Sequence, residues 1–440
     1  MSNSNKALAV GGVALLLSSV LMGSSAMATE GYFQNGIGAR GKALAGAGVA
    51  DGRDATSAAL NPAGILRAGD EIDFAVSMFS PRRQFEGSGQ PGFTPMGKVE
   101  SNLNLFEIPN MAISKRLPAN SFVDAVALSF SGNGGMNTTY PNVSGAGRCP
   151  GGPFSSGVFC GGKAGVDLNQ LLVSLAFAKQ IGNIAIGVAP VLGIQRFQAE
   201  GLAAFGAFGA SSAPGSLTNN NHDLSFGGGL RAGLEWAVTP SLRLGVAGST
   251  KIYMQDFEDY KGLFAEGGGF DIPANIQAGV AFDVTPSITA MLDYKHIWYS
   301  DVASISNPST NLQLPDGSGL LGLKNGAGFG WKDVDVIKVG VEWRTTPALT
   351  LRAGYSYNTQ PVQSRDVMFN ILAPGVVQNH ITAGFGYKMT SKLELEFAGM
   401  YAPRTHVVGG ELAGFGNPNH KIDLSMEQFE ATIGVKYKFD

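Results

Sequence analysis

The sequence predicts an all-β protein, a 14-stranded antiparallel transmembrane β-barrel with an N-terminal plug segment in its lumen. Three observations lead to this fold class. Segments in the second half of the chain alternate apolar and polar side chains with period two. Short turns and long connections alternate between residue 70 and the C-terminus. A Gly/Ala-rich segment, residues 29–69, precedes them and lacks the large apolar side chains that a core of its own would need.

The composition agrees with a chain whose outer surface faces lipid. Of the 440 residues, 44% are hydrophobic and 15% are charged, 62 are Gly, and the formal net charge is −3. Low charge combined with abundant glycine suits a soluble multidomain protein less well. The near-neutral balance argues against a nucleic-acid partner, which would require a basic patch.

The first 28 residues are expected to be a secretory signal peptide. Lys6 precedes a mostly apolar run, residues 7–22, and the Ala-Met-Ala sequence at 26–28 has the small-x-small pattern of a cleavage site. Beyond it no run of 18 apolar residues occurs, because the best candidate, residues 171–194, is interrupted by Lys179. A closed barrel is then the remaining way to span a membrane.

Residues 29–69, the predicted plug, contain a Gly/Ala-rich motif followed by Asn-Pro-Ala-Gly. The residues that carry the pattern are Gly36, Gly38, Arg40, Ala43, Ala45, Gly46, Gly48, Ala50, Asp51, Asn61, Pro62, Ala63 and Gly64. The pattern resembles the N-terminal plug of the FadL family, outer-membrane transporters for long-chain fatty acids and other hydrophobic compounds. The resemblance implies a 14-stranded barrel in the outer membrane of a Gram-negative bacterium. It also implies that the N-terminal end of the plug, here Thr29, Glu30 and Gly31, lies near bound ligand.

Physical arguments also favour a plug. About 8 strands give a barrel that side chains fill, whereas 16–18 leave an aqueous channel, so a barrel of 14 strands needs something in its lumen. Residues 51–60 are expected to form a short helix that ends at Asn61, because Pro62 disfavours helical geometry before it. The plug charges are expected to pair with inward charges of the wall: Arg40, Lys42, Asp51, Arg53 and Asp54 with residues such as Arg231, Glu235, Arg243, Arg352 or Glu394. The alternative is a flexible Gly/Ala linker.

The strand array is clearest in the segment 287–299. Leu292 and Tyr294 lie on one face of the predicted strand, and Asp293 and Lys295 lie on the other. The same division recurs in the segments 333–344, 392–401 and 429–439. A soluble sandwich would not place so many charges on an interior face, whereas a barrel with lipid outside and a wet, plugged lumen does.

The connections set the number of strands. Tight turns are expected at residues 118–120, 180–183, 239–241, 285–287, 346–348 and 390–392. Long connections are expected near residues 81–102, 133–167, 198–223, 255–273, 300–332, 360–378 and 403–426. Six short turns and seven long loops give 14 strands with both chain ends on the short-turn side. Outer-membrane barrels have this arrangement of short periplasmic turns and long extracellular loops.

Two of the long connections carry apolar side chains where polar ones are expected. They are Leu202, Phe205 and Phe208 in the third connection and Leu263 and Phe264 in the fourth. Exposed apolar surface marks binding sites, so we predict a hydrophobic ligand site here. Loops at these places form the ligand-capturing groove in the FadL family. The alternative, compatible with the first, is that the loops pack together as a lid.

Glycines after the third strand, predicted over residues 122–130, indicate a bulge or kink. The candidates are Gly132, Gly134 and Gly135. By resemblance to the family, where an inward kink in this strand opens the wall sideways, they are candidates for a lateral exit. The alternative is an ordinary flexible loop start.

Cys149 and Cys160 lie in one Gly/Pro-rich stretch of an exported chain. A local disulfide is predicted, which stabilises the fold by about 2–3 kcal/mol. The stretch offers too few ligands for a metal, and we expect neither a metal nor a cofactor. The five histidines are scattered and no Ser has a recognisable nucleophile setting, so we expect no enzyme.

Together these features predict passive uptake of hydrophobic molecules, above all long-chain fatty acids. Ligand is captured at the loops, passes to a lumenal pocket and leaves through the barrel wall. The expected partners are a hydrophobic small molecule, outer-membrane lipid and lipopolysaccharide, and the protein is expected to be a monomer. The alternatives are uptake of aromatic hydrocarbons by the same fold, a porin-like channel for polar solutes, and a surface receptor barrel.

Overall fold

The computed structural model describes residues 30–143 and 149–439, so the predicted signal peptide, Thr29 and Asp440 lie outside the described residues. The strands are β1 (Glu71–Gly89), β2 (Gly97–Glu100), β3 (Phe106–Arg116), β4 (Ala125–Tyr140), β5 (Ala164–Ile181), β6 (Ile184–Glu200), β7 (Asp223–Ala237), β8 (Leu242–Ser249), β9 (Tyr253–Met254), β10 (Asn275–Thr285), β11 (Ile288–Ile297), β12 (Val334–Arg344), β13 (Leu349–Asn358), β14 (Asn379–Lys388), β15 (Leu393–Gly410) and β16 (His420–Lys438).

Fourteen of these strands form one antiparallel wall, and the short strands β2 and β9 pair with β1 and β7 beside it. The wall closes because β1 pairs with β16 over its full length, from Glu71↔Lys438 to Gly89↔His420. A closed sheet leaves no unpaired strand edge facing lipid. The predicted 14-stranded antiparallel barrel is confirmed.

The wall strands turn apolar side chains outward and polar ones inward. On β11, Leu292 is 50% exposed and Tyr294 47%, whereas the intervening Asp293 is 1% exposed. On β16, Ile433 is exposed and Lys436 is buried in the same alternation. Side chains of a strand point alternately to its two faces, so the period-two sequence pattern separates lipid from lumen. No helix in the described ranges is long and apolar enough to cross a membrane.

The six tight turns lie where they were predicted, but three long connections are shorter than expected. β1 continues to Gly89, β4 to Tyr140, and the hairpin of β15 and β16 extends from Gly410 to His420. Beyond the lipid belt the outward face of a strand also becomes polar, as at Arg82 and Glu86 of β1, while inward residues such as Phe85 are buried under the loops. The alternation that marks a strand then disappears from the sequence while the backbone pairing continues.

The plug, residues 30–69, lies inside the barrel as predicted. Its regular parts are the helix Gly38–Ala43, the 3-10 turns Ala55–Ala59 and Pro62–Gly64, and the helical turn Ile65–Ala68. The helix expected over residues 51–60 is wrong in extent, because only the 3-10 turn forms there. The Asp51 carboxylate binds Arg243 of β8 at 3.0 Å, and the chain stays extended as far as Asp54.

Buried ion pairs fix the plug against the wall. They are Lys42–Glu430 at 2.5 Å and Arg40–Glu342 at 2.9 Å, and the partly exposed Arg67 adds a contact to the buried Glu235 at 3.1 Å. An uncompensated buried charge is strongly destabilising, so these pairs specify one position of the plug in the lumen.

The long connections fold over the loop-side opening of the barrel. Their helical turns are Ala203–Ala207, Pro214–Ser216, Glu258–Tyr260, Ala265–Gly268, Tyr299–Asp301, Ala303–Ser306, Ser309–Gln313, Ser364–Asp366 and Val367–Asn370. Their apolar side chains join the N-terminal end of the plug in a large buried cluster. This cluster contains the candidate site.

Candidate functional site

The folded connections enclose an apolar pocket, here called the loop pocket, with about 530 Å³ of empty space including its mouth. Its lining residues are Phe159, Val166, Phe197, Leu202, Phe205, Leu263, Phe264, Ser304, Leu321, Ala327, Gly328, Phe329, Phe369 and Leu372. Five side chains were proposed from the sequence for the groove. Four of them line this pocket: Leu202, Phe205, Leu263 and Phe264.

Aromatic contacts hold the pocket in shape. The helix Ala203–Ala207 buries Phe205 against Phe159 and Phe369, with ring centroids 5.5 and 5.7 Å apart. From the fourth connection, Phe264 packs on Phe197 of β6 at 4.6 Å. Aromatic pairs at such distances add about 0.5–1.5 kcal/mol each beyond area burial. The pocket is therefore built from preorganised rings, with Ser304 its one polar side chain.

Phe208 differs from the other proposed groove residues. Its side chain is 47% exposed and contacts Phe93 and Phe415, with ring centroids 6.2 Å away in both cases. Phe208 therefore lies at the rim, outside the lining.

Besides Phe197 of β6, sequence reasoning missed three phenylalanines of the lining that belong to the loops. They are Phe159, Phe329 and Phe369, each from a different long connection. Each is an apolar residue in a predicted extracellular loop, so the criterion that selected Phe205 would have found them if it had been applied to every connection.

Aromatic side chains continue from the loop pocket to the plug. Phe264 packs on Phe270 at 4.7 Å, and Phe270 lies 6.3 Å from Tyr32 of the plug. Tyr32 in turn packs on Phe33 at 5.3 Å. The rings that line the pocket and those at the N-terminal end of the plug therefore form one contiguous buried aromatic cluster.

The N-terminal end of the plug wraps around Tyr299. The Tyr299 hydroxyl accepts a hydrogen bond from the Tyr32 N–H at 3.1 Å and donates to the Glu30 carbonyl at 2.6 Å. Gly31, between them, has φ +70°, and a Cβ there would lie 2.5 Å from the Tyr299 hydroxyl oxygen. Both the backbone conformation and the close approach require glycine.

Glu30 anchors this end electrostatically. Its fully buried carboxylate lies 2.7 Å from the Lys295 ammonium and also binds Lys338. Burial opposes ionisation of the carboxyl, but the two lysines outweigh it and hold the pKa of Glu30 below its usual value. The candidates Glu30 and Gly31 therefore lie where the plug meets the aromatic rings that extend from the loop pocket. Thr29 is outside the described residues.

Asn61, Pro62 and Ala63 lie at the other end of the plug, away from the loop pocket. The Asn61 amide donates to the Val49 and Leu234 carbonyls, and its oxygen accepts from the Ala63 N–H at 3.1 Å. These contacts fasten the plug to β7 and give this motif a structural place in the fold.

Gly132, Gly134 and Gly135 lie inside β4, which runs past the predicted end at residue 130. The pairing of β4 with β5 shifts register between Gly132 and Gly134, so Asn133 forms a bulge. The register of β4 with β3 begins only at Asn110↔Ser131. The stretch between residues 103–109 and 132–138 thus lacks backbone pairing, and we call it the wall gap. Asn102 closes it on the loop side by donating to the Thr139 carbonyl at 2.8 Å.

The plug covers the inner side of this bulge. The Gln34 N–H donates to the Asn133 carbonyl at 3.0 Å, and Phe33 bridges to Gly134. A Cβ at Gly134 would lie 1.9 Å from the Tyr32 carbonyl oxygen. Glycine at this position permits the plug backbone to pair with the bulged strand.

A second space, the inner cavity, adjoins the bulge and has about 540 Å³ of empty space including the solvent at its openings. Phe33, Asn133, Leu172, Arg231 and Lys295 are among its lining residues. Arg231 is buried, and within the described ranges no carboxylate lies within ion-pair distance of it. The cavity therefore combines apolar side chains with an uncompensated positive charge.

Cys149 and Cys160 form a disulfide in the second long connection. Cys160 is buried and follows Phe159 of the loop pocket. Among residues 30–143 and 149–439, no cluster of His, Cys, Asp and Glu has a metal-binding arrangement.

Comparisons with known proteins agree with this architecture. In solved structures, the chain is 17% identical to the Pseudomonas putida toluene transporter TodX (TM-score 0.67), over 92% of this chain and 99% of that one. It is 17% identical to the Ralstonia pickettii toluene transporter TbuX (TM-score 0.62), with the same coverage. It is 15% identical to a Pseudomonas aeruginosa FadL homologue (TM-score 0.65), over 93% and 100%. At such identities these likenesses establish the fold.

A comparison with curated protein sequences finds no significant match. The model of the family described as outer membrane protein transport protein (OMPP1/FadL/TodX) matches residues 18–439, nearly the whole chain. The plug motif, the closed 14-stranded wall and this match agree with one another. The chain therefore belongs to the OMPP1/FadL/TodX family of outer membrane transport proteins.

Proposed function

We propose that the protein is a passive outer-membrane channel for hydrophobic molecules, with long-chain fatty acids as its preferred ligands. The observation that carries the proposal is the apolar loop pocket together with the buried aromatic cluster that continues from it, through Phe264 and Phe270, to Tyr32 of the plug. Each methylene buried on such a surface contributes about 0.8 kcal/mol. An alkyl chain therefore binds without many polar contacts, and its burial needs no energy source.

The route has three stages. Ligand enters the loop pocket from outside the cell, where the polar lipopolysaccharide leaflet blocks direct entry of apolar solutes into the membrane. It then passes the N-terminal end of the plug into the inner cavity, which requires Tyr32 and Phe33 to move. It leaves sideways through the wall gap beside Gly132 and Gly134 into the membrane. A single barrel contains the whole route, so a monomer suffices.

The preference for a fatty acid rests on Arg231. A buried guanidinium without a counter-charge is unfavourable, and a ligand carboxylate supplies one with bidentate geometry. Lys295 lines the same cavity, but Glu30 already pairs with it. Neutral aromatic hydrocarbons are the second candidate, because phenylalanine rings dominate the loop pocket.

Binding of a fluorescent fatty acid and of a toluene-like probe to the purified protein tests the capture step. Phe205→Glu and Phe264→Glu each place a charge in the loop pocket and are expected to weaken binding by at least about tenfold. Phe122→Glu is the matched control, since Phe122 is 94% exposed at a short turn. No binding of either probe, together with steady ion conductance in planar bilayers, would favour the porin-like alternative.

Arg231→Gln separates the ligand classes. We expect it to weaken binding of a fatty acid by roughly 10- to 100-fold, the value of a charged hydrogen bond. Binding of the alcohol with the same chain length is expected to stay unchanged. Arg344→Gln, near the short turn 346–348, is the matched control. Equal losses for acid and alcohol would disprove the carboxylate role, and binding of the aromatic probe alone would establish the second candidate.

A further inference from the structure

The second long connection contains a loop, residues 149–162, that we call the clasp loop. Its sequence is Cys-Pro-Gly-Gly-Pro-Phe-Ser-Ser-Gly-Val-Phe-Cys-Gly-Gly. Gly151, Gly152, Gly157 and Gly162 adopt positive φ, and so does Cys160 at +59°. Such a chain loses much conformational entropy when it orders and has few large side chains to offset that loss. The clasp loop therefore needs a constraint from elsewhere to keep one conformation.

The Cys149–Cys160 disulfide supplies that constraint. It closes a loop of 11-residue separation, and the Cys160 sulfur lies 3.9 Å from the Phe93 carbonyl oxygen. The Phe93 and Thr94 N–H groups are themselves held by the Glu411 carboxylate. The crosslinked end of the clasp loop thus rests on a part of the first connection that is itself fixed.

Phe159 is the residue that this constraint places. It immediately precedes Cys160, and it is almost fully buried. Its ring packs on Phe205 at 5.5 Å and on Phe93 at 6.5 Å, and it lines the loop pocket. Phe205 comes from the third connection, so Phe159 adds the clasp loop to the lining of the pocket beside that connection.

We propose that Phe159 is a ligand-contacting residue of the loop pocket and that the Cys149–Cys160 disulfide is its positioning element. The inference rests on the proposed function, because it assigns a role in capture to a wall of the same pocket. The disulfide then acts on hydrophobic ligands through a single ring. With the disulfide removed, the clasp loop samples many conformations and Phe159 no longer lines the loop pocket.

A double-mutant cycle on fatty-acid affinity tests this assignment. Phe159→Ala and the pair Cys149→Ser/Cys160→Ser are each expected to raise Kd by about tenfold, the loss of one or two methylene-sized contacts with ligand. Combining all three changes is expected to raise Kd no further, because the disulfide acts through Phe159. Phe159→Leu, which keeps an apolar side chain, is expected to restore most of the affinity.

Two controls separate a role in capture from a role in folding. Phe154→Ala alters a partly buried ring of the same loop that does not line the pocket, and it is expected to leave Kd unchanged. Heat-modifiable mobility in gels is expected to show a folded barrel for every variant. Additive effects of the two changes, or an unchanged Kd in the cysteine variant, would overturn the proposal.

Phe205→Glu in the same assay shows whether a negative result concerns the role of the disulfide or the capture site itself. If Phe205→Glu weakens binding and the clasp-loop variants do not, the role of the disulfide is wrong while the capture site stands. If Phe205→Glu also binds normally, the loop pocket is not the capture site and both proposals fall.

Discussion

At the scale of single residues, Glu30 holds the N-terminal end of the plug. Glu30→Gln leaves Lys295 and Lys338 buried beside a neutral amide. Removing one partner of a buried ion pair destabilises the folded state by about 3–5 kcal/mol, here the docked state of the plug. We expect residues 30–35 to detach while the barrel remains folded. Hydrogen exchange of their amides in detergent is expected to accelerate at least roughly tenfold.

Glu200→Gln is the matched control for this substitution. Its partner Lys163 lies 3.0 Å away, but both side chains are partly exposed. Exposed pairs contribute about 0–1 kcal/mol, so exchange at residues 30–35 is expected to stay at the wild-type rate. Equal exchange in both variants would contradict the anchoring role of Glu30.

The same carboxylate predicts a pH dependence. Burial favours the neutral acid, but Lys295 and Lys338 outweigh it, so the pKa of Glu30 in the docked plug is below its usual value. A lowered pKa stabilises docking fully above about pH 4, the ordinary pKa of a glutamate, and this stabilisation is lost as pH falls through the docked pKa. Exchange at residues 30–35, corrected for the intrinsic rate, is expected to accelerate only below about pH 4. A transition near neutral pH would show that another group controls docking.

At the scale of elements, the bulge in β4 and the plug fit together through Gly134. A side chain there would meet the Tyr32 carbonyl oxygen at 1.9 Å, so Gly134→Val is expected to displace the N-terminal end of the plug. Exchange at residues 31–35 is expected to accelerate, while ligand affinity at the loop pocket stays within about threefold of wild type. Gly228→Val is the matched control, because nothing lies closer than 4.0 Å to a Cβ on Gly228 of β7. Unchanged exchange in Gly134→Val would mean that plug and bulge are not in contact.

The elements also show where sequence patterns are informative. Alternation and turn residues located the short turns correctly, because lipid on one face and charges on the other impose period two. They misplaced the ends of β1, β4 and β15, because past the lipid belt the pattern of apolar residues outside and polar residues inside ends while the strand continues. The helix expected over residues 51–60 failed because Asp51 binds Arg243, which is distant in sequence.

At the scale of the whole molecule, the plug fills a barrel too wide for side chains alone to fill. Deleting residues 30–69 removes its ion pairs with the wall and is expected to leave an open pore. Single-channel conductance in planar bilayers is expected to rise from near zero in the intact protein to a steady, porin-like level. Heat-modifiable mobility checks that the truncated barrel is folded, and a folded variant that does not conduct would mean that the loops alone seal the lumen.

The candidate site was predictable only in part, because its shape depends on how several loops pack together. Leu202, Phe205, Leu263 and Phe264 are recognisable because each is apolar in a connection expected to be polar. Phe208 has the same character but lies at the rim, since its helix turns it away from the pocket. No local signal separates these two outcomes, because the direction of a loop side chain depends on how separate loops pack.

The sequence by itself determined the class of this protein: a closed wall with period-two strands, an even number of them, and an N-terminal plug. These properties follow from local physics, since each strand meets lipid and lumen independently of its distant neighbours. Only the tertiary structure decided which rings form the loop pocket, that Glu30 is paired while Arg231 has no carboxylate partner among the described residues, and that the plug covers the bulge in β4. These depend on contacts between separate strands and loops, such as Phe159 with Phe205 and Glu30 with Lys338, which become neighbours only when the barrel closes and the loops fold over it.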